Sequence, residues 1–313
     1  MVFFPRAAWG SLFGASTAFF TACGSSESRA VGGPDAAGAD VQQPTTGADG
    51  GTDSGDAGTG DAAPGDGDAG AVEGALDPNL PPGSNFDLVV WYLQEPSGSA
   101  GSPTYISSAM LQAGYHDAYF YTDPTDGAMT FFDPENGIVI PGSTYPRSEL
   151  REVNTDGSNA NWPVAGTNRL AATVAVVDVP DHVCVGQIHI GSPLGDAGLA
   201  DSTLPLLELY YHVNGEIDVG IENMPVSGNE SYTTLATVPL GTRFDYVISL
   251  TGDGTGNGTI GITINGTQQT FPMPSGFVGY GEYFKAGDYD QSVSDAGVAA
   301  TVKFYALSVI HTQ

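Results

Sequence analysis

Positive charge is what this 313-residue chain lacks most: 8 Lys and Arg stand against 36 Asp and Glu, a formal net charge of -28. So few cations exclude a nucleic-acid binder, whose affinity comes from many basic side chains set against phosphates. Two cysteines are too few for a disulfide framework or a cysteine-built zinc site. Charged residues of both signs make up only 14% of the chain, below the ~25% of an average soluble domain. Beyond the extreme N-terminus, no apolar run approaches the ~20 residues of a membrane span. What is present is acid and glycine, 44 residues of the latter. The balance points to an exported, soluble protein with room for one large domain or two small ones.

Residues 1–22 carry Arg6 and then a short apolar stretch through Leu12, Phe13, Phe19 and Phe20, closing in small residues. That is the layout of a secretory signal. Its end, F-T-A-C-G-S-S, resembles a bacterial lipoprotein signal, which would make Cys23 the lipidated first residue of the mature chain. Phe20 departs from the aliphatic residue usual three places earlier. Residues 23–83 are Gly, Ala, Asp, Ser, Thr and Pro with almost no large apolar side chains. Such a segment cannot bury enough surface to offset its ordering entropy, and its acids repel one another. It reads as a disordered tether between a membrane and a domain, which implies a cell-surface or outer-membrane lipoprotein, or otherwise a secreted one.

From residue 84 onward, short runs of Val, Ile, Tyr, Phe and Thr alternate with Gly, Pro, Asn and Asp. Clear runs fall at 86–93, 170–179, 182–190, 206–213, 244–250, 259–265, 283–291 and 301–310, and no amphipathic helix of ten residues is evident. This is the pattern of an all-β sandwich or barrel. Residues 84–313 therefore predict one all-β domain, most simply a jelly roll of two antiparallel sheets.

Residues two apart on a strand share a face. Alternation places Arg147, Glu149 and Arg151 of R-S-E-L-R-E on one face, with Leu150 toward the core. It places Gln187 and His189 of C-V-G-Q-I-H-I together, with Cys184, Ile188 and Ile190 opposite. In Y-F-K-A-G-D-Y-D-Q it aligns Tyr283, Lys285, Tyr289 and Gln291. The domain holds six basic residues against 25 acidic ones, and three of the six lie in these rows. Global charge repels a polyanion, so an anionic ligand has to be held by a local, focused site. Any one row alone is better read as a surface ion-pair ladder, for Arg147–Glu149–Arg151, or as a satisfied half-buried histidine, for His189; three rows together point to a site.

The three motifs R-S-E-L-R-E, Q-I-H and Y-F-K-A-G-D-Y-D-Q, in that order, resemble the signatures of alginate lyases of the seventh polysaccharide lyase family. The resemblance spans about 85–313. It implies a β-jelly roll whose concave sheet forms a substrate groove, and cleavage of alginate by β-elimination with no cofactor and no metal. By motif position it implies Arg147, Gln187, His189 and Tyr289 as the catalytic set. It implies Glu149, Arg151, Lys285, Gln291 and Tyr283 as substrate-binding residues in the groove, and the enzyme is expected to act as a monomer. The chemistry suits the residue types. Arg147 and Gln187 can neutralise and hydrogen-bond a uronate carboxylate, which makes the C5 proton easier to remove. His189 can take that proton near neutral pH, and Tyr289 can protonate the leaving O4, or itself serve as base on mannuronate if activated. In the family this chain resembles, Ile between the Gln and His goes with acceptance of guluronate-containing blocks, so by the resemblance Ile188 leans the substrate that way.

Asp288 and Asp290 flank Tyr289 where an apolar residue and Asn are usual; alternation turns both away from the groove. Two rival readings remain. E-I-D-V-G-I-E resembles the active strand of laminarinase-type glycoside hydrolases, with Glu216, Asp218 and Glu222 one residue out of spacing. A non-catalytic carbohydrate-binding module would instead use Trp91, Trp162 and tyrosines as stacking platforms. Cys184 is expected as a buried small hydrophobe on the core face, and His116, His182, His212 and His311, which have no metal-ligand spacing with one another, as surface or turn residues.

Overall fold

In the computed structural model several strands end at Pro or Asp, as at Pro134, Asp178, Pro193, Asp253, Pro272 and Asp290. Residues 75–195, 198–292 and 298–312 are described. In chain order they form α1 (Pro82–Asn85), β1 (Trp91–Ser99), β2 (Ser102–Ile106), α2 (Ser108–Gln112), β3 (Phe120–Thr122), β4 (Met129–Pro134), β5 (Ser148–Glu152) and β6 (Trp162–Pro163). Then follow β7 (Ala165–Asp178), β8 (His182–Pro193), β9 (Pro205–His212), β10 (Glu216–Glu222), β11 (Glu230–Thr237) and β12 (Phe244–Asp253). The last are β13 (Gly258–Ile264), β14 (Thr267–Pro272), β15 (Tyr280–Asp290) and β16 (Ala299–Thr312). The larger sheet runs β11-β10-β9-β8-β15-β5-β1-β2, with β6 paired to β15; the smaller runs β14-β13-β12-β7-β16-β4-β3. Every pairing among them is antiparallel. The all-β jelly-roll expectation holds, and the helices are only four and five residues long.

The core lies between the sheets. Leu93, Leu150, Ile188 and Phe284 come from the larger sheet and Leu170, Val174, Ile248 and Phe304 from the smaller, all fully buried. Each such side chain contributes roughly 1.5–3 kcal/mol by leaving water. One polar clip crosses this core. Glu152, the last residue of R-S-E-L-R-E, accepts from Trp162 Nε1 and the Phe284 N–H at 2.8 Å each and meets His311 Nε2 at 2.6 Å. His311 also lies 2.7 Å from Asn168 Oδ1, so β5, β6 and β15 are tied to β7 and β16.

Several expectations need correction. The signal over 1–22 and most of the tether lie outside the described residues. Residues 75–83, assigned by composition to the tether, are structured: Leu76 packs against the core and Asp77 is bonded to Asn79 and Asn85. Cys184 is fully buried as expected, but on the groove side and not on the core face. A bulge between Cys184 and Gly186 interrupts the alternation of β8, and Cys184 is paired opposite Tyr210 and Tyr289 on the groove side. Two core-facing neighbours, Val185 and Gly186, result. A Cβ on residue 186 would sit 2.9 Å from the Tyr246 hydroxyl, which donates to the Val185 carbonyl, so any larger residue there would have to push Tyr246 aside. Three of the histidines expected as surface or turn residues have structural contacts: His182 and His212 pair across β8 and β9 and stack at 5.6 Å, and His311 is part of the Glu152 clip.

Candidate active site

The outer face of the larger sheet carries one continuous row of directly opposed residues: Tyr92, Arg151, Lys285, Gln187, Glu208, Gly220 and Tyr232. Register alone thus gathers the three motifs, which are far apart in sequence, onto three adjacent strands, β5, β15 and β8. At the centre, Glu149 is 1% exposed and receives Gln187 Nε2 at 2.5 Å, Arg147 Nη1 at 3.2 Å and the Lys285 ammonium. Two cations share one carboxylate, so the buried centre keeps one positive charge. A desolvated, unbalanced charge is costly unless a partner arrives, and it is suited to an arriving anion. Burial, then Arg147, push the Lys285 pKa down to about 8, against the pull of Glu149. Burial opposes the charge on Arg147 as well, but Glu149 and Tyr289 hold its pKa above the ordinary value.

His189 stacks on Tyr283 at 5.0 Å, and the Arg151 guanidinium lies 4.0 Å from the centre of the same Tyr283 ring. The carbonyl of Ile190 is 2.9 Å from His189 Nδ1. A carbonyl only accepts, so Nδ1 holds the proton and Nε2 keeps its lone pair. Burial, then Lys285, push the imidazole down to about 3, so it is neutral at ordinary pH. Tyr289 has Arg147 3.7 Å over its ring, Tyr145 edge-on at 6.2 Å and Ser143 Oγ 3.5 Å from its hydroxyl. Burial raises its pKa, with Arg147 and Ser143 pulling the other way, so the phenol stays protonated. Gln291 donates to Glu208 at 2.8 Å. Burial and then Glu230 push Glu208 up to about 7.

Of the residues expected in the groove, Arg147, Glu149, Arg151, Gln187, His189, Tyr283, Lys285 and Tyr289 lie together at this centre, and Gln291 lies beside it. Sequence reasoning missed Ser143, whose hydroxyl meets both Tyr289 and Arg147 Nη2 (3.2 Å), and Glu208. Ser143 sits four residues before Arg147, and Glu208 interrupts the apolar run L-L-E-L-Y-Y; only the second leaves a mark in the sequence. Asp288 and Asp290 do point inward despite the register shift on β15: Asp288 is fully buried, and the Asp290 N–H donates to Asp133 Oδ2 at 3.1 Å. Glu216, Asp218 and Glu222 share β10 but engage different partners. Glu216 meets Thr234, Asp218 meets His212, and Glu222 is tucked under Gly228. Trp91 is buried in the core and Trp162 packs on Phe284, so neither is a stacking platform in the groove. Among the described residues no group of three or more His, Cys, Asp or Glu is arranged to hold a metal.

A two-sheet antiparallel sandwich with a cationic centre, a neutral base and a protonated phenol on one open sheet face defines a polysaccharide-processing enzyme for anionic sugars. The sequence-family profile described as alginate lyase matches residues 86–311. The chain belongs to that alginate lyase family and is a polysaccharide lyase. It is 28% identical over 295 residues to an alginate lyase of Klebsiella pneumoniae, covering 74% of this chain and 91% of that one. A solved alginate lyase described as a member of polysaccharide lyase family 7 is 34% identical, with a TM-score of 0.65 over 74% of this chain and 98% of its own. A Pseudomonas aeruginosa alginate lyase is 30% identical, with a TM-score of 0.64 over 72% of this chain and 100% of that one.

Proposed function

We propose that the chain cleaves the 1,4-bonds of alginate by β-elimination at the Arg147–Gln187–His189–Tyr289 centre, leaning to guluronate-containing blocks. The observation that carries this is the pair of buried cations on Glu149 beside a neutral imidazole, in a protein otherwise so acidic. A uronate carboxylate placed there completes the charge balance, and Arg147 and Gln187 stabilise the enolate-like state that forms when the C5 proton leaves. Nε2 of His189 takes that proton, and the protonated Tyr289 delivers one to O4 as the C4–O4 bond breaks. The electron pair from C5–H becomes the C4–C5 double bond, leaving an unsaturated uronate at the new non-reducing end.

Glu149 orients Gln187, Arg147 and Lys285 rather than meeting the sugar first. Because the Tyr289 phenol is held protonated, it suits the acid better than the base, and this supports guluronate over mannuronate. Ile188 is wholly in the core, so any influence it has on substrate choice passes through the placement of Gln187 and His189. A relative carrying His-to-Asn and Tyr-to-Phe substitutions has been solved in complex with a substrate (GGMG), and one with Tyr-to-Phe with a product (GGG); both support a polyuronate ligand for this groove. The proposal includes action as a monomer, and export with a lipid on Cys23.

The test is to digest separate guluronate and mannuronate blocks and follow the ultraviolet absorbance of the unsaturated product. His189→Ala and Tyr289→Phe should each abolish it with the circular dichroism unchanged. Near-wild-type release by both variants refutes the assignment.

A further inference from the structure

The strand β15 changes partner in the middle of the site. From Lys285 to Asp288 it pairs with β5, and at Gly281 and Glu282 with β6; neither strand supplies a ladder partner for Tyr283 or Phe284. The gap lies beside two groove residues, Tyr283, which stacks on His189, and Lys285, which rests on Glu149. In that gap the Phe284 N–H donates at 2.8 Å to a side chain, Oε2 of Glu152, which also receives Trp162 Nε1 at 2.8 Å. A buried amide without an acceptor is costly, so the interrupted strand is held there only as firmly as this carboxylate is held.

The carboxylate is held from the opposite sheet. Its Oε1 lies 2.6 Å from His311 Nε2 on β16, and His311 Nδ1 lies 2.7 Å from Asn168 Oδ1 on β7. Asn168 Nδ2 donates to the carbonyls of Ala165 and Leu250, which fixes its Oδ1 as the acceptor. His311 Nδ1 therefore carries a hydrogen, and a further proton lies on the line between Nε2 and Oε1. The His311 ring also stacks on Phe284 at 5.9 Å and meets Trp162 at 5.5 Å. Phe284 is fully buried in the core, while its neighbours on either side point into the groove. It is the inner end of a lever whose outer ends are Tyr283 and Lys285.

We propose that Glu152 and His311 are positioning residues for the elimination: together they fix Phe284, and through Tyr283 they set where the His189 base stands, without holding the uronate. This rests on the functional reading of the centre. Lys285 is anchored separately on Glu149, and Arg151 on Asn159 and Tyr92. Releasing Phe284 therefore moves the base more than the cations, and its signature is a loss in kcat with KM retained.

The experiment measures kcat and KM on guluronate blocks for the full chain and its variants, well below each Tm and per folded molecule by circular dichroism. Glu152→Ala is expected to lower kcat about a hundredfold and His311→Leu about tenfold, with KM within about twofold of wild type. Glu152→Gln is expected to bring kcat back to within about threefold, because its amide oxygen accepts from Phe284 and Trp162 and its NH2 donates to the imidazole. A second readout is the NMR shift of the His189 ring protons, set by the ring current of Tyr283. It should move in Glu152→Ala and His311→Leu and return in Glu152→Gln. If Glu152→Ala does not fold, His311→Leu decides, since it leaves Phe284 and Trp162 their acceptor. An unchanged kcat in the folded Ala and Leu variants, a loss carried by KM, or a Gln variant no better than the Ala variant overturns the proposal. If the wild type forms no unsaturated product, the functional reading fails. The positioning is then judged by the His189 shift, and identical shifts in wild type and His311→Leu overturn it.

Discussion

Lys285 sets where the alkaline limb of activity should fall. It is 6% exposed, its ammonium rests on Glu149, and burial with Arg147 nearby pushes its pKa down to about 8. Above that pH it loses its proton, and the centre falls from one net positive charge to neutral. The uronate carboxylate then has one fewer cation to meet. In the free enzyme the charged fraction of such a lysine is roughly one-tenth at one pH unit above its pKa and roughly one-hundredth at two, each unit equivalent to about 1.36 kcal/mol. The wild-type kcat/KM should therefore fall about fivefold between pH ~8 and ~9 and about tenfold per pH unit beyond, because this ratio reports groups of the free enzyme. The limb in kcat should be displaced upward, since bound uronate restores the charge. His189, already neutral down to about pH 3, contributes no limb in this range, and the raised Tyr289 stays protonated through it. Lys285→Arg, charged at every accessible pH, should lose the alkaline limb at whatever plateau its longer side chain permits. Lys285→Gln should give a low plateau without the limb. The assay is the initial rate of ultraviolet absorbance gain on guluronate blocks at constant ionic strength. An alkaline limb of unchanged position in both variants refutes the assignment to Lys285.

Two further outcomes follow from β15. Asp288 is fully buried with neither carboxyl oxygen bonded, and burial, then Asp133 and Asp290, raise its pKa well above the ordinary value. A carboxyl whose folded pKa is raised contributes stability below its unfolded pKa of ~3.9 and loses it as pH rises through the folded value. Asp288→Val should therefore stabilise the domain near neutral pH by about 1–3 kcal/mol. That is an increase in Tm of roughly 2–10 °C for a domain of this size, with the gain shrinking toward acid pH. A lower Tm in thermal unfolding at neutral pH contradicts this. Gly287 has φ +153°, and a Cβ there would meet the Ser148 carbonyl oxygen at 2.7 Å and Glu149 Cα at 2.8 Å. Gly287→Ala should displace β15 from β5 beside Tyr289 and Glu149, lowering kcat by at least about tenfold; kcat within twofold of wild type shows the strand to be more tolerant than the contacts require.

The motif strands were legible because their chemistry is local. Alternation in R-S-E-L-R-E correctly separates Leu150 from the polar row, and Q-I-H separates Ile188 from Gln187 and His189. It fails at Cys184, where a bulge adds a residue to β8, and a bulge is set by the partner strand and by Tyr246 beneath it rather than by the residues it displaces. Ser143 and Tyr145 were invisible for a related reason. They act from the segment before β5, and nothing in G-S-T-Y-P predicts that it passes over a tyrosine 144 to 146 residues later. The two tryptophans failed in the opposite direction. As exposed residues they would have been sugar platforms, but the sheets close over Trp91 and the Glu152 clip holds Trp162 inward.

Composition and alternation by themselves determined an acidic, all-β chain with three short polar rows that hold three of the domain's six cations, because charge count and period-two patterning need no knowledge of strand order. Strand order is what the tertiary structure decided. It places β15 between β5 and β8, which brings Arg147, Lys285 and Gln187 onto the single carboxylate of Glu149. The same order sets β1 and β2 on one side and the acidic β9–β11 on the other. A groove with an anion-binding centre and two unlike ends arises from these long-range pairings, which no local stretch of sequence encodes.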